Sequence, residues 1–524
     1  MGEIMTNRTV HRKKNGAAYV YSVESYWDKE KKAPRTKQVC LGRLNEETGE
    51  VTPSKPRTKK NEPKTSLEPI VSRVRAKVFG SYLLLQKLAN ETGLTRLLKQ
   101  CMPNNYQELL SLAFFVAQKG VALSRCESWS ENHRHPADKF LASQRVSELL
   151  KQVPEDRRQL FLSVWMECLL ESEYLCYDIT SISSYAVGNE YVRRGYNRDG
   201  DNLSQINLAM LYGQKSGLPA YYRRLPGNIT DVSTLETTID LLEFSGQEKL
   251  CFVLDRGFYS EDNISTLLEK RYSFALMTPT NRVWVKKIID KYADNISSPE
   301  RYIMTKSGEA LYAISHPHRV NNKRCFAHIY YNATRAAEDF DALTKKLILC
   351  KKELENDAPI SKNRDFYDRF FIVKRTPKRG LSVSYNEPEI QKYRNQYAGY
   401  FCILTNMKTD SQELVDIYRR KDVVENSFDD LKNSLDMKRL RVHSSAAMDT
   451  RLFIQFLALI LLSKMRSILK TDKELWQKSP REIMEAMESI VEVQVLGSTA
   501  NRLFTELGPL QQKIVDLFEL ESEA

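Results

Sequence analysis

The chain has nine cysteines but no CxxC pair among them, at positions 40, 101, 126, 168, 176, 251, 325, 350 and 402. That argues against a zinc ribbon and a disulfide framework, and most of these thiols read as small core residues. No glycine spacing matches GxGxxG, a Walker loop or GxSxG, which removes simple dinucleotide, nucleotide-hydrolysing and esterase readings. Long apolar runs are also missing. Leu452 to Leu462 covers eleven residues including Gln455, short of the roughly 20 needed to cross a bilayer, so a buried helix and no membrane partner are expected. The amino terminus, MGEIMTNRTVHRKK, lacks the apolar stretch of a secretory signal, and the expected place is the cytoplasm. Histidine is scarce at 7 residues. Its two HxH pairs, His133/His135 and His316/His318, have no Cys or acid cluster at ligand spacing, so they read as surface or turn residues.

Positive charge is in excess. Lysine plus arginine number 79 against 67 acids, for a net charge of +12 over 524 residues. This favours a polyanionic partner, with nucleic acid ahead of an anionic membrane surface. At ~100–200 residues per folding unit the length suggests three or four units.

The periodicity divides the chain. Residues 1–51 read as a small β-hairpin module, with alternation in Ala18-Tyr-Val-Tyr-Ser-Val-Glu. Residues 52–69, with four prolines and five basic side chains, read as a flexible basic linker. Residues 70–172 have helical periodicity and read as a helical domain with a possible DNA-binding role. At Tyr174 the character changes. Strands are expected at Leu175-Cys-Tyr-Asp-Ile-Thr, Ser204 to Tyr212, Gly217 to Arg223 and Leu250 to Asp255, with a helix near 232–244. This makes 173–283 the first part of a mixed α/β core. The lysine-rich, patchily β-like stretch 284–397 reads as a β-rich insertion, 398–445 as the second part of the core, and 446–524 as C-terminal helices.

The chemistry gathers at three acids. Asp178 and Asp255 each end or follow an apolar strand-like run, where β/α folds place ligand-binding groups. A single aspartate there is more often a turn or helix-capping residue. Two such carboxylates on neighbouring strand ends, however, can share a pair of divalent cations, and hard oxygen ligands suit Mg²⁺, with Mn²⁺ as substitute. The third acid lies in Tyr418-Arg-Arg-Lys-Asp-Val-Val-Glu425-Asn-Ser-Phe-Asp-Asp-Leu-Lys432. At ~100° per residue of one continuous helix, Tyr418, Lys421, Glu425 and Lys432 fall within roughly 60°, beside an apolar stripe of Ile417, Val424, Phe428, Leu431 and Leu435.

With the acids in the order strand, strand, helix, the chain resembles the DDE transposases of bacterial insertion sequences, and within them the insertion-sequence-four superfamily. Its signature is Tyr, two residues, Arg, three residues, Glu, six residues, Lys. Tyr418, Lys421, Glu425 and Lys432 meet that spacing, with Lys421 where the family has arginine. Lysine keeps the charge but loses the planar fork. Further matches are Leu-Asp-Arg-Gly-Phe-Tyr-Ser around Asp255, Leu225-Pro-Gly-Asn-Ile-Thr-Asp231, and the Arg194-Gly-Tyr-Asn-Arg-Asp-Gly loop.

The resemblance implies a ribonuclease-H-like catalytic core with a β-rich insertion between the second Asp and the Glu. Asp178, Asp255 and Glu425 would be both catalytic and metal-binding, holding two Mg²⁺ ions. Tyr418, Lys421 and Lys432 would contact DNA. It also implies metal-dependent cleavage at transposon ends and strand transfer into target DNA. The partners would be double-stranded terminal inverted repeats and target DNA, with a homodimer on DNA, in a prokaryotic cytoplasm and on the nucleoid when DNA-bound. Related enzymes can stack an extruded base on an aromatic of the insertion. Trp284, between Arg282 and Lys286, matches by composition, although tryptophans are more often structural anchors. Two other readings compete: a non-catalytic, sequence-specific DNA-binding descendant of the same fold, and a glycosidase with paired carboxylates. The basic balance and the cations around Glu425 speak against the glycosidase.

Overall fold

In the computed structural model, residues 6–13, 16–28, 33–53, 74–169, 174–195, 200, 202–229, 233–235, 238–239, 250–377, 380–421, 427–435, 437–442, 444–495 and 502–520 are described. They fall into two units, Met1–Arg73 and Val74–Ala524.

The first unit is a four-stranded antiparallel meander of β1 (Thr6–Arg12), β2 (Ala18–Asp28), β3 (Ala33–Leu44) and β4 (Val51–Pro53). It is larger than the hairpin read from the sequence. The alternation in β2 turns Ala18 and Val20 to one face, where both are buried. Leu41 is the extra residue of a bulge, since Val20 faces Gly42 while Tyr21 faces Cys40. A Cβ on Gly42 would stand 2.0 Å from the Thr52 carbonyl oxygen, so only glycine lets β4 close on β3 here. Of the linker expected at 52–69, Thr52 and Pro53 belong to β4 and the rest lies outside the described residues.

The second unit opens with β5 (Val74–Val78), followed by helices Gly80–Glu91, Leu94–Cys101, Tyr106–Lys119, Cys126–Asn132, Ser143–Gln152 and Glu155–Leu169. The main sheet then begins with β6 (Tyr174–Ser184), β7 (Gln205–Gly213), β8 (Pro219–Pro226), β9 (Cys251–Leu254) and β10 (Ser273–Thr278). It continues with β11 (Tyr302–Met304), β12 (Ala310–Val320) and β13 (Lys323–Tyr331). The hairpin β14 (Phe371–Thr376) and β15 (Gly380–Tyr385) stands apart as a two-stranded sheet. Then come β16 (Tyr400–Thr405), the short β17 (Arg439–Leu440), and finally β18 (Val491–Val495) and β19 (Arg502–Phe504). The main sheet runs β11-β12-β13-β16-β10-β9-β6-β7-β8, with β17 parallel to the far end of β6. It is mixed: β6, β9 and β10 are parallel, and the remaining pairs along the order are antiparallel.

Three expectations change. The stretch 284–397 is not a self-contained β-rich insertion, because β11–β13 extend the main sheet by pairing onto β16. What lies off the sheet is mainly the 23-residue helix Ala333–Glu355, helix Arg364–Phe370 and the β14–β15 hairpin, around a separate core that includes Leu343, Leu347, Tyr367, Phe370 and Phe371. The C-terminal region is not wholly helical, since β18 pairs with β5 across more than 400 residues of sequence. Periodicity could not show this, because a five-residue strand takes its partner from tertiary context. Nor do the helices of 80–169 form a separate domain. They share one continuous core with the inner face of the sheet, through Phe115, Phe161, Trp165 and Phe453.

Helix Ser445–Leu469 lies at the centre of that core. Its length and apolar composition match a membrane span, yet between Ala447 and Met465 nearly every side chain is buried. It packs on helices Gly80–Glu91, Tyr106–Lys119 and Ser143–Gln152 and on β8. Fully burying each large aliphatic or aromatic side chain contributes about 1.5–3 kcal/mol, which accounts for a helix that is apolar all round.

The first HxH pair is not at the surface, and His316 and His318 are half-buried. His133 and His135 are buried around Trp129, with His133 Nδ1 3.0 Å from the Trp129 carbonyl and His135 Nδ1 3.0 Å from Ser111 Oγ. His318 stacks on Trp284 at 4.1 Å, and Trp284 Nε1 donates to Tyr259 Oη at 3.1 Å, so Trp284 is packed as an anchor.

Candidate active site

Side-chain alternation sorts the two faces of the sheet. Leu175, Tyr177, Phe252 and Leu254 point into the large core, while Cys176 and Val253 point to the other face, under helix Ser411–Arg419. Asp178 and Asp255 come two residues after Cys176 and Val253 and therefore belong to that second face. The strands are parallel, with Tyr177 paired to Leu254. Asp178 and Asp255 are the next position on each, on neighbouring strands roughly 4.8 Å apart. Asp178 stays within β6, opposite Met210 of β7, and its Oδ1 accepts from the Ile179 N–H at 2.8 Å. Asp255 ends its strand and caps a short turn, accepting from the Arg256 N–H at 2.8 Å.

Helix Ser411–Arg419 starts where the Asp410 carboxylate accepts from the Glu413 N–H at 2.8 Å. It buries Leu414, Val415, Ile417 and Tyr418 against Cys176, Val253, Ala275 and Ile403. Gln214, just past β7, fixes its far end by donating Nε2 to the Ile417 carbonyl at 2.8 Å. The helix is shorter than the continuous one expected. It ends at Arg419, and Lys421 N–H turns back to the Tyr418 carbonyl at 3.1 Å. Where the described residues resume, at Ser427, the chain is helical, and it closes as a wide turn over Asp430–Ser434. The tighter turn after Arg419 brings Tyr418 and Lys421 to one carboxylate: Tyr418 Oη donates to Asp255 Oδ1 at 3.1 Å, and Lys421 Nζ sits 3.2 Å from Asp255 Oδ2.

Both side chains are buried rather than presented to solvent. Burial, followed by the charge of Asp255, pushes the Tyr418 hydroxyl far above its ordinary pKa, so it is a firm donor. Burial would raise Asp255, but the Lys421 ammonium, the Arg256 N–H and the Tyr418 hydroxyl outweigh it and hold the carboxyl below its usual range.

Of the six site residues read from the sequence, Asp178, Asp255, Tyr418 and Lys421 come together here. Lys432 is half-buried in the wide turn. Glu425 lies outside the described residues. Its nearest described neighbours are Lys421, against Asp255, and Ser427, which lines a pocket with Tyr212 and Asp430. Among the described residues no cluster of three metal-ligating side chains occurs. The two adjacent carboxylates are nevertheless the donor set a hard divalent cation takes, and the Lys421 ammonium supplies Asp255 with the positive charge such an ion would bring.

Sequence reasoning passed over the cations around the pair. A cleft of about 310 Å³ opens beside Asp255, with Arg256, Arg335, Arg419 and Lys421 in its walls. Arg419 is anchored to both carboxylate oxygens of Glu309, at 2.9 and 2.8 Å. Arg256 stood inside a quoted motif, but Arg335 comes from an unrelated stretch and carried no local signal. Arg420, considered as a stand-in for the family arginine, is exposed, and Lys421 makes the contact with Asp255.

A mixed sheet with paired aspartates on adjacent parallel strands, covered by a helix that brings a tyrosine and a lysine to one of them, defines an acid-based site with cationic walls. A family model described as the transposase DDE domain matches residues 171–461, more than half of the chain and the whole of this site. The chain belongs to the transposase DDE domain family, and it is a DDE transposase by family. Among solved structures it is similar to a piggyBac transposase synaptic complex with hairpin DNA, at 10% identity and a TM-score of 0.37, over 78% of this chain and 77% of that one. No curated protein matches the chain.

Proposed function

We propose that this protein is a cut-and-paste transposase of the insertion-sequence-four type, cleaving DNA at the terminal inverted repeats of its element and joining the ends to target DNA. The observation that carries the reading is the in-register placement of Asp178 and Asp255 with Tyr418 and Lys421 of the signature segment against Asp255.

In this reading Asp178, Asp255 and Glu425 hold two Mg²⁺ ions, for which Mn²⁺ substitutes. When bound, such ions activate the attacking oxygen and stabilise the leaving oxygen of a phosphodiester, which removes the need for a histidine or a covalent protein nucleophile. The protein's own groups do the positioning. Tyr418 and the Arg256 N–H fix one oxygen of Asp255 while Lys421 neutralises the other. Arg256, Arg335 and Arg419 give the adjacent cleft the charge to hold a DNA strand. Lys432 holds a flanking phosphate. Because two ends must be joined, the working form is a dimer on DNA, acting in a prokaryotic cytoplasm and on the nucleoid.

The test is cleavage of a duplex carrying the element's end in Mg²⁺. Asp178→Asn, Asp255→Asn and Glu425→Gln should each lose at least about 100-fold in rate while binding that duplex as the parent does. Cleavage that survives any one of them sinks the assignment. Binding without cleavage by the parent protein would favour the non-catalytic DNA-binding reading.

A further inference from the structure

The turn Thr305-Lys306-Ser307-Gly308-Glu309 joins β11 to β12. Gly308 takes a left-handed φ of +81°, which lets the turn close, and the Glu309 N–H donates to Thr305 Oγ1 at 2.9 Å. The turn meets helix Ser411–Arg419 twice. The Lys306 N–H donates to Asp416 Oδ1 at 2.9 Å, and Glu309 takes Arg419 Nη2 with both carboxylate oxygens, at 2.9 and 2.8 Å. Asp416 and Arg419 are three residues apart and so share one face of the helix. Tyr418 lies between them in sequence and reaches Asp255.

Glu309 Oε1 also accepts from Asn332 Nδ2 at 2.6 Å. Asn332 is buried, and its Oδ1 accepts from the Arg335 N–H at 2.9 Å, which caps helix Ala333–Glu355. One carboxylate therefore ties together the two helices that deliver the cleft arginines, Arg335 and Arg419. Both guanidinium groups lie close to the Phe401 ring of β16, at 5.3 and 5.7 Å from its centroid. Two like charges gathered at one ring repel, and the Glu309 charge offsets that repulsion. The Arg419–Glu309 pair is itself only partly buried, with side chains 38% and 30% exposed. An ion pair at that exposure adds little to folding stability, so its geometry calls for another role.

We infer that Glu309 is a positioning residue for DNA cleavage. It holds the Arg419 guanidinium and, through Asn332, the start of the helix that carries Arg335, so that both arginines meet one phosphate of the strand in the cleft beside Asp255. Glu309 engages Nη2 of Arg419, and Nη1 is the group for a phosphate oxygen. The pairing of β11–β13 onto β16 then has a consequence for the site, because it is what brings Glu309 to the helix bearing Tyr418. This inference rests on the reading of the chain as a DNA-cleaving enzyme and adds to it a residue that acts without touching substrate.

The test uses the full-length protein and a duplex carrying the element's end, with cleavage rates in Mg²⁺ measured across DNA concentrations and binding measured separately by fluorescence anisotropy. Glu309→Ala should lower the maximal rate about tenfold and leave the half-saturating DNA concentration within about twofold, because the lost carboxylate makes no contact with DNA. Glu309→Asp keeps the charge and falls one methylene short of Arg419, so it should lose about threefold or more. Glu338→Ala removes an exposed carboxylate from the same neighbourhood and should cleave as the parent does. In an Arg419→Ala background, Glu309→Ala should cost less than about a further twofold, since the residue it positions is already gone. A Glu309→Ala or Glu309→Asp protein that cleaves at the parent rate or faster overturns the proposal. So does a full tenfold loss in the Arg419→Ala background, which would mark a purely structural role, or a loss confined to binding. Asp255→Asn separates the two readings. If the parent cleaves, Asp255→Asn does not and Glu309→Ala is unaffected, only the positioning role fails. If the parent leaves the duplex uncut, the catalytic reading fails and the positioning role falls with it.

Discussion

Lys421 Nζ stands 3.2 Å from Asp255 Oδ2, with the lysine side chain 8% exposed and the aspartate 43% exposed. An ammonium this buried, set against a carboxylate that would otherwise hold a cation, controls the charge at the site. Its removal leaves Asp255 with an unanswered charge. Lys421→Met should lower end cleavage by about tenfold or more, whereas Lys421→Arg, which restores the family residue and the charge, should stay within about threefold of the parent. Initial rates on a labelled duplex decide between them. A collapse of the arginine variant, with the methionine variant active, would show that this residue has been misassigned.

Tyr418 acts on the same carboxylate from the other side. Tyr418→Phe keeps the ring packed against Val253 and Ile403 and deletes only the 3.1 Å hydrogen bond. A neutral-to-charged hydrogen bond contributes about 1.5 kcal/mol at the lower end of its range. Cleavage should therefore fall about tenfold with the melting temperature nearly unchanged. A large drop in thermal stability would mean that the hydroxyl serves folding rather than the site.

The loop after β6 and the Leu225-Pro-Gly-Asn segment meet backbone to backbone. A Cβ on Gly227 would lie 2.0 Å from the Gln205 carbonyl oxygen, and one on Gly195 would lie 1.9 Å from the Gly227 carbonyl oxygen. Gly227→Ala has no flexible side chain to push aside and should destabilise the protein by about 1–3 kcal/mol. Urea unfolding would register this as a lower midpoint, and an unchanged midpoint would contradict the packing described.

Burial pushes His133, His135 and His328 down to about 4 each. Between pH 6.5 and 4 the unfolded chain takes up protons at these positions and the folded chain does not. Their stabilising contribution is therefore complete above about pH 6.5 and is lost as the pH falls towards 4. At pH 5 each histidine costs about 2 kcal/mol relative to pH 7. Chemical denaturation at pH 7, 6 and 5 should show a steep loss before most carboxylates titrate. A flat profile over that window would mean that these rings are protonated in the folded state.

Asp178 and Asp255 could be picked out because each follows a short apolar run, although Asp178 lies inside β6 and only Asp255 ends its strand, and the signature spacing from Tyr418 to Lys432 stood in the primary sequence. The walls of the cleft could not be read in the same way. Arg335 begins a helix that packs away from the sheet, and its approach to the site depends on β13 and β16 pairing side by side. The misjudged histidines have a similar cause. His133 and His135 look polar in sequence, but Trp129, Ser111 and Ser130 together offer them a buried, hydrogen-bonded place.

Sequence by itself determined the local alternation of strands and helices around the acids, the excess of positive charge and the family, because periodicity, composition and motif spacing are properties of neighbouring residues. Only the tertiary structure decided that Asp178 and Asp255 stand in register on parallel strands. It also decided that the helix bearing Tyr418 stops at Arg419, so that Lys421 turns back to Asp255, and that the strands of 302–331 extend the main sheet. The physical reason is that strand partners and helix ends are chosen by which buried surfaces and hydrogen bonds can be satisfied together, over separations that no sequence window spans.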